Sequence, residues 1–205
     1  MEKKLDDIWE KSLKFKIQQK KREWIDFIVE ISKTELNNVL EIGCYDGGTT
    51  MFLSHLTKNL ITIDQPNPSR FDTYKYFLDD KNLYGSKLLN TITNFNYISG
   101  SSHLESTINE VKNLLNGEKL DLLFIDGDHS YEGVKQDYNM YIELVRSGGI
   151  IAFHDIHESS FHERHGCFVH NFWKELINEH KDYKVFYCDQ GVDNVWGGIG
   201  LIYKK

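Results

Sequence analysis

The chain is short of cysteine, proline and positive charge, and each shortage narrows its class. Its three cysteines, Cys44, Cys167 and Cys188, are odd in number and far apart in the sequence. That argues against a disulfide framework or a C-x-x-C zinc site. Only two prolines occur, Pro66 and Pro68, and they mark one loop. Lysine and arginine total 24 against 31 aspartates and glutamates, for a net charge of −7. A phosphate backbone needs a basic face, so no nucleic-acid partner is expected. No apolar run approaches the ~20 residues of a membrane span, so no membrane partner is expected. The N-terminus alternates charged and apolar residues instead of showing a signal-peptide core, and the expected location is the cytoplasm.

What is present is enough for a folded domain: 205 residues, 40% hydrophobic and 13% aromatic. The chain is organised around Leu120–Asp155. A buried-strand run, Leu120 to Ile125, ends on Asp126, Asp128 and His129, and a second, Ile150 to Phe153, ends on His154 and Asp155. Between them Val134, Tyr138, Tyr141, Ile142 and Val145 recur at helical spacing, and Gly148-Gly149 is expected to stop that helix. Strand, helix, strand makes a βαβ unit. Its strands are parallel neighbours, so both acidic tips face one crevice.

The same alternation runs through the chain. Residues 1–35 carry apolar positions of helical period, from Leu5, Ile8 and Trp9 to Trp24, Ile25 and Ile28, and read as an N-terminal helical extension capping the sheet. These apolar helices are also compatible with a homodimer. Residues 36–205 read as the main domain. Strands are expected at Asn38–Ile42, Leu60–Ile63, Asn96–Ser99, Tyr183–Tyr187 and Gly198–Tyr203. Helices are expected after Gly48 (with Met51, Phe52, Leu53 and Leu56 inward), around Tyr74–Leu78, around Leu88–Ile92, from Leu104 to Leu115 and over Phe168–Glu179. The fold class is α/β: a doubly wound, Rossmann-like sheet of about seven strands, mostly parallel with an antiparallel C-terminal pair, and helices on both faces.

Two groups of residues carry chemistry. The turn Glu41-Ile42-Gly43-Cys44-Tyr45-Asp46-Gly47-Gly48-Thr49 lets a ligand approach the backbone and offers helix N–H groups to an anion. Asp64 ends the next strand, where a carboxylate accepts from ribose hydroxyls, so the pair indicates an adenosine-containing ligand. The second group is the acidic tip set with His129, whose imidazole suits a general base near neutral pH. The histidines His154, His157, His162, His165 and His170 match no closed Cys/His pattern. Their loop, Ile156–Gly166, reads as cover for an acceptor pocket, helped by Phe161, Phe168 and Trp173. Cys44 and Cys188 read as packing residues.

The segment VLEIGCYDGGTT resembles the first motif of class I methyltransferases that use S-adenosylmethionine. Residues from about 38 to 203 resemble a branch related to the cephalosporin-hydroxylase-like and macrolide-sugar O-methyltransferase group. FNYISGSSHLEST, FIDGDHSYEGVKQD and GGIIAFHD carry that likeness, and the N-terminal 35 residues lie outside it. The resemblance implies that Gly43, Gly47, Gly48 and Thr49 wrap the methionine part of S-adenosylmethionine. It places Glu41 near the amino end, Asp64 on the ribose, Ser101 and Ser102 beside the adenine, and Asp126 at the cofactor as well. Ser101 stands where the branch usually has Asp. The resemblance also implies a divalent metal, Mg²⁺ or Mn²⁺, on Asp126, His154 and Asp155. The imidazole of His154 replaces an acidic residue there and shifts the preference toward Mn²⁺, Fe²⁺ or Zn²⁺. His129 is implied as the base and Asp126 as its catalytic partner. The expected reaction is methylation of a hydroxyl on a sugar, secondary metabolite or other small molecule. The alternatives are a nucleotide-dependent oxidoreductase and a non-catalytic cofactor-binding subunit.

Overall fold

The computed structural model describes residues 2–65, 94–187 and 196–205. The two helices expected between residues 69 and 94, the proline loop and Cys188 lie outside the described residues. In chain order the elements are α1 (Glu2–Ser12), α2 (Lys21–Ile31), β1 (Leu36–Ile42), α3 (Gly48–Ser54), β2 (Thr57–Asp64), β3 (Asn94–Ser99) and α4 (Glu105–Leu115). They continue with β4 (Leu120–Ile125), α5 (Tyr131–Tyr141), β5 (Val145–His154), α6 (Ser160–Arg164), α7 (Val169–Glu179), β6 (Tyr183–Phe186) and β7 (Ile199–Tyr203).

The strands form one sheet in the order β3-β2-β1-β4-β5-β7-β6. The first five are parallel, and β7 runs antiparallel to both β5 and β6. Strand order reverses between β1 and β4, and ligands of open α/β sheets bind at such a switch point. The period-two alternation of the strands feeds two cores. Leu40, Ile42, Leu123 and Ile125 face α4, α5 and α7, meeting Val111, Tyr141, Phe172 and Trp173. Val39, Leu122 and Phe124 face α1, α2 and α3, meeting Trp9, Trp24, Phe27, Ile28 and Phe52.

The N-terminal helices therefore form a layer of the core. Trp24 sits 5.4 Å from Phe124 and 6.0 Å from Phe52 between ring centroids. Among the described residues, the apolar faces of these helices pack against the sheet and α3. No described helix is long and apolar enough to cross a membrane.

Two expectations need correction. The helix after Asp128 stops at Tyr141, followed by a 3-10 turn at Ile142–Leu144, and Val145 already belongs to β5. Gly148 and Gly149 lie within β5, where the register against β4 shifts between Leu120 and Leu122, so they accommodate a bulge and do not end a helix. Trp173, expected beside an acceptor pocket, is buried in the core against Phe153, 6.0 Å away.

Candidate functional site

The C-terminal ends of β1, β2, β3 and β4 open into a cleft of about 370 Å³. It is lined by Gly43, Asp64, Gly100 to His103 and Asp126 to His129, with Gln18 of the N-terminal segment on its rim. That volume lies within the ~300–1,000 Å³ of small-molecule sites.

The β1–α3 turn is built locally. Gly43 adopts φ +81°, and a Cβ there would run into the backbone of Asp126, so only glycine lets the ends of β1 and β4 close up. Asp64 organises the turn from the next strand. Its Oδ2 accepts the N–H groups of Cys44 (3.0 Å) and Tyr45 (2.8 Å) and the thiol of Cys44 (3.2 Å). Glu41 is buried beneath the turn and does not line the cleft. Its carboxylate accepts the hydroxyls of Thr49, Thr50 (2.6 Å) and Thr62 (3.0 Å). Burial pushes its pKa up to about 7 against the pull of those hydroxyls. A Cβ at Gly48 would lie 2.6 Å from Ile17, so the N-terminal segment presses directly on this turn.

At the far end of the cleft, Ser101, Ser102 and His103 follow β3. The Tyr141 hydroxyl donates to the Ser102 carbonyl at 2.8 Å. Asp137, fully buried, stands 3.2 Å from Nε2 of His103, and burial pushes its carboxyl up to about 6. Asp128 accepts the Ser130 N–H at 2.9 Å, while Ser130 caps α5 by accepting from Gly133 N–H at 3.0 Å.

The acidic tips converge as the βαβ argument requires. Asp126 Oδ1 is 3.3 Å from His129 Nε2 and 3.2 Å from His154 Nδ1. Asp155 Oδ1 is 3.4 Å from His154 Nδ1, and its Oδ2 is 3.5 Å from His129 Nε2. Donor atoms of Asp126, His154 and Asp155 all lie within 4.8 Å of one another. Burial works against every charge here, but mutual attraction outweighs it. His154 is held well above its ordinary value by Asp155 and Asp126, and Asp155 well below by His154. Asp126 is lowered chiefly by His154, and His129 is raised chiefly by Asp126. His129 keeps 42% of its side chain exposed to the cleft.

Two residues of this site had no signal in the sequence beyond helical periodicity. Gln19, just before α2, donates from Nε2 to Asp126 Oδ2 at 2.6 Å. Its Oε1 is buried with no partner among the described residues. Glu23, on α2, is buried, stands 3.3 Å from His154 Nε2 and accepts the Gly198 N–H at 2.9 Å. Only a polar residue on the otherwise apolar inward face of α2 could have betrayed Glu23.

Residues 40–156 match the profile of a protein family described as a methyltransferase domain. Over 124 residues the chain is 36% identical to an uncharacterized protein of Acanthamoeba polyphaga mimivirus, covering 57% of this chain and 50% of that one. Over 95 residues it is 30% identical to an uncharacterized protein of Sinorhizobium fredii, covering 45% of this chain and 10% of that one. The chain thus spans half or less of the length of these curated relatives. Among solved structures, an O-methyltransferase from Bacillus cereus in complex with SAH superposes with a TM-score of 0.62 at 17% identity, covering 98% of this chain and 91% of that one. The N-methyltransferase NodS from Bradyrhizobium japonicum gives 0.62 at 15% identity, covering 90% and 87%. At such identities the likeness speaks for the fold alone.

Proposed function

The chain belongs to the methyltransferase-domain family, and from that premise we propose that it transfers a methyl group from S-adenosylmethionine to a hydroxyl of a sugar or other small molecule. The observation that carries this reading is a cleft lined by Asp64, Asp126 and His129 in which the His129 ring is held by Asp126 and, from behind, by Asp155.

The residues fit the cofactor. Gly43, Gly47, Gly48 and Thr49 would hold its methionine end, Asp64 its ribose hydroxyls, and Ser101 with Ser102 its adenine. The orphaned Oε1 of Gln19 is a buried acceptor suited to an ammonium group. When bound, S-adenosylmethionine supplies an electrophilic methyl group on a sulfonium.

The chain's own residues supply position and a proton acceptor. His129 directs Nε2–H at Asp126 and Asp155, which leaves Nδ1 to take the proton of the acceptor hydroxyl. The two carboxylates then stabilise the imidazolium that forms. Alignment of the hydroxyl in the cleft provides the larger share of the rate. Asp126, His154 and Asp155 would hold a divalent ion if His154 gives up its Nδ1 proton, with Glu23 orienting the ring from Nε2. Such an ion would stabilise the developing alkoxide.

Calorimetric titration with S-adenosylmethionine and S-adenosylhomocysteine, with and without Mg²⁺ or Mn²⁺, tests the reading. Micromolar binding followed by methyl transfer to a hydroxyl acceptor supports it. Binding of NAD(H) in place of both compounds would hand the site to oxidoreductase chemistry.

A further inference from the structure

His162 and Cys167 belong to no recognised sequence pattern, yet the connection from β5 to α7 folds both against Asp155. Oδ1 of Asp155 lies 3.2 Å from Nε2 of His162. The Cys167 Sγ, a ring nitrogen of His162 and a carboxylate oxygen of Asp155 all lie within 4.8 Å of one another, and all three residues are buried. Asp155 itself is held at φ +60°, a left-handed conformation that non-glycine residues rarely adopt.

Two backbone groups define the state of the His162 ring. Its Nδ1 lies 2.6 Å from the carbonyl oxygen of His157, which can only accept, so Nδ1 carries the proton. Its Nε2 accepts the Gly197 N–H at 3.0 Å, so Nε2 presents a lone pair. Nε2 and the Asp155 carboxylate therefore approach to 3.2 Å with no proton between them. Two buried acceptors this close are costly unless a positive charge serves both. The neighbouring trio is different. Each ring nitrogen of His154 faces an acceptor that its own proton can serve, Nδ1 the carboxylates of Asp126 and Asp155 and Nε2 that of Glu23.

We propose that Asp155, His162 and Cys167 bind a zinc-class divalent cation. Carboxylate, imidazole and thiolate suit such an ion, and three protein ligands leave a fourth position for water. Oxygen and nitrogen ligands about 2.0–2.1 Å from a tetrahedral ion stand roughly 3.3 Å apart, close to the spacing already present. The His157 carbonyl behind Nδ1 is the outer contact that fixes the tautomer of metal-binding histidines. On binding, the Sγ–metal bond replaces the S–H bond and the proton leaves to solvent. The ion takes the His162 lone pair from the Gly197 amide. Burial, with Asp155 adding to it, pushes the Cys167 thiol up to about 12, so the free protein keeps that proton until the ion displaces it. The ion ties the loop after β5 to the strand end that carries Asp155, and its binding does not depend on methyl transfer.

The test uses the full chain, stripped of metal and titrated with Co²⁺ as a spectroscopic probe and with Zn²⁺ in competition against a chromogenic chelator. One equivalent of Co²⁺ should bind and give near-ultraviolet thiolate-to-cobalt absorption. Cys167→Ser should abolish that band, and both it and His162→Gln should weaken Zn²⁺ binding by about 100-fold or more. Asp126→Asn should leave band and affinity in place. His162→Gln keeps the thiol and so decides the matter if Cys167→Ser fails to fold. A cobalt complex without the thiolate band, or no binding of either ion, overturns the proposal. So does Zn²⁺ affinity lost in Asp126→Asn but kept in Cys167→Ser, an outcome that assigns the ion to Asp126, His154 and Asp155.

Discussion

On the cofactor side of the cleft, Asp64 reaches the turn residues Cys44 and Tyr45 across 20 and 19 positions of sequence. On the acidic side, Asp126 meets Gln19 across 107 positions and Glu23 meets His154 across 131. The first side is shaped by two adjacent strands and the glycine turn between them. The second is assembled by the βαβ unit and completed only once the N-terminal segment with Gln19 and α2 with Glu23 have docked on the sheet. Each side should therefore fail in its own way: the cofactor side in binding and in local stability, the acidic side in turnover.

His129→Ala should break the symmetry most sharply. Loss of a general base costs about 10²–10⁴-fold in turnover, while S-adenosylhomocysteine affinity should stay within about twofold. Paired kinetics and calorimetry check this, and unchanged turnover removes His129 from its role. Burial lowers the pKa of His129 and Asp126 with Asp155 raises it further, so the rising limb of kcat/KM against pH should lie above its ordinary 6.5.

Beneath the cofactor side, Glu41 is expected to control stability against pH. Its folded pKa of about 7 lies above its ordinary 4.5. The neutral form is favoured by folding, so its contribution is full below pH 4.5 and lost as pH rises through 7. The loss is on the order of 3 kcal/mol. Denaturant unfolding on either side of that range should show the slope in the native chain and a flatter profile in Glu41→Gln. An equal slope in both proteins would show that another group is responsible.

Asp64→Asn should weaken S-adenosylhomocysteine by about 10- to 100-fold, since hydrogen bonds to a charged group are worth about 1.5–3 kcal/mol. A variant with unchanged affinity but lower turnover would reverse the division between the two sides. The smallest effect is expected away from both. Lys174 and Glu158 form an exposed ion pair at 2.6 Å, and Lys174→Ala should change stability by less than about 0.5 kcal/mol in a thermal melt.

Much of this site is legible in the residues. The strand runs Leu120–Ile125 and Ile150–Phe153, their acidic ends, the turn around Gly43 and the position of Asp64 all follow from periodicity and glycine placement. The βαβ unit then brings Asp126, His129, His154 and Asp155 together without any knowledge of coordinates. The end of α5 was less legible. Val145 continues the apolar spacing of the helix, but hydrogen bonding with β4 claims it for a strand.

The sequence by itself determined the mostly parallel sheet and the residues at its carboxyl edge, because local periodicity and short connections admit few other arrangements. The order of the strands is read from the structure. Only the tertiary structure decided that Gln19 and Glu23 complete the acidic side, and that His162 and Cys167 stand beside Asp155. Those contacts join distant segments through side chains whose spacing follows no repeat. Their partners are chosen by which buried polar groups are left to satisfy one another once the two cores have closed.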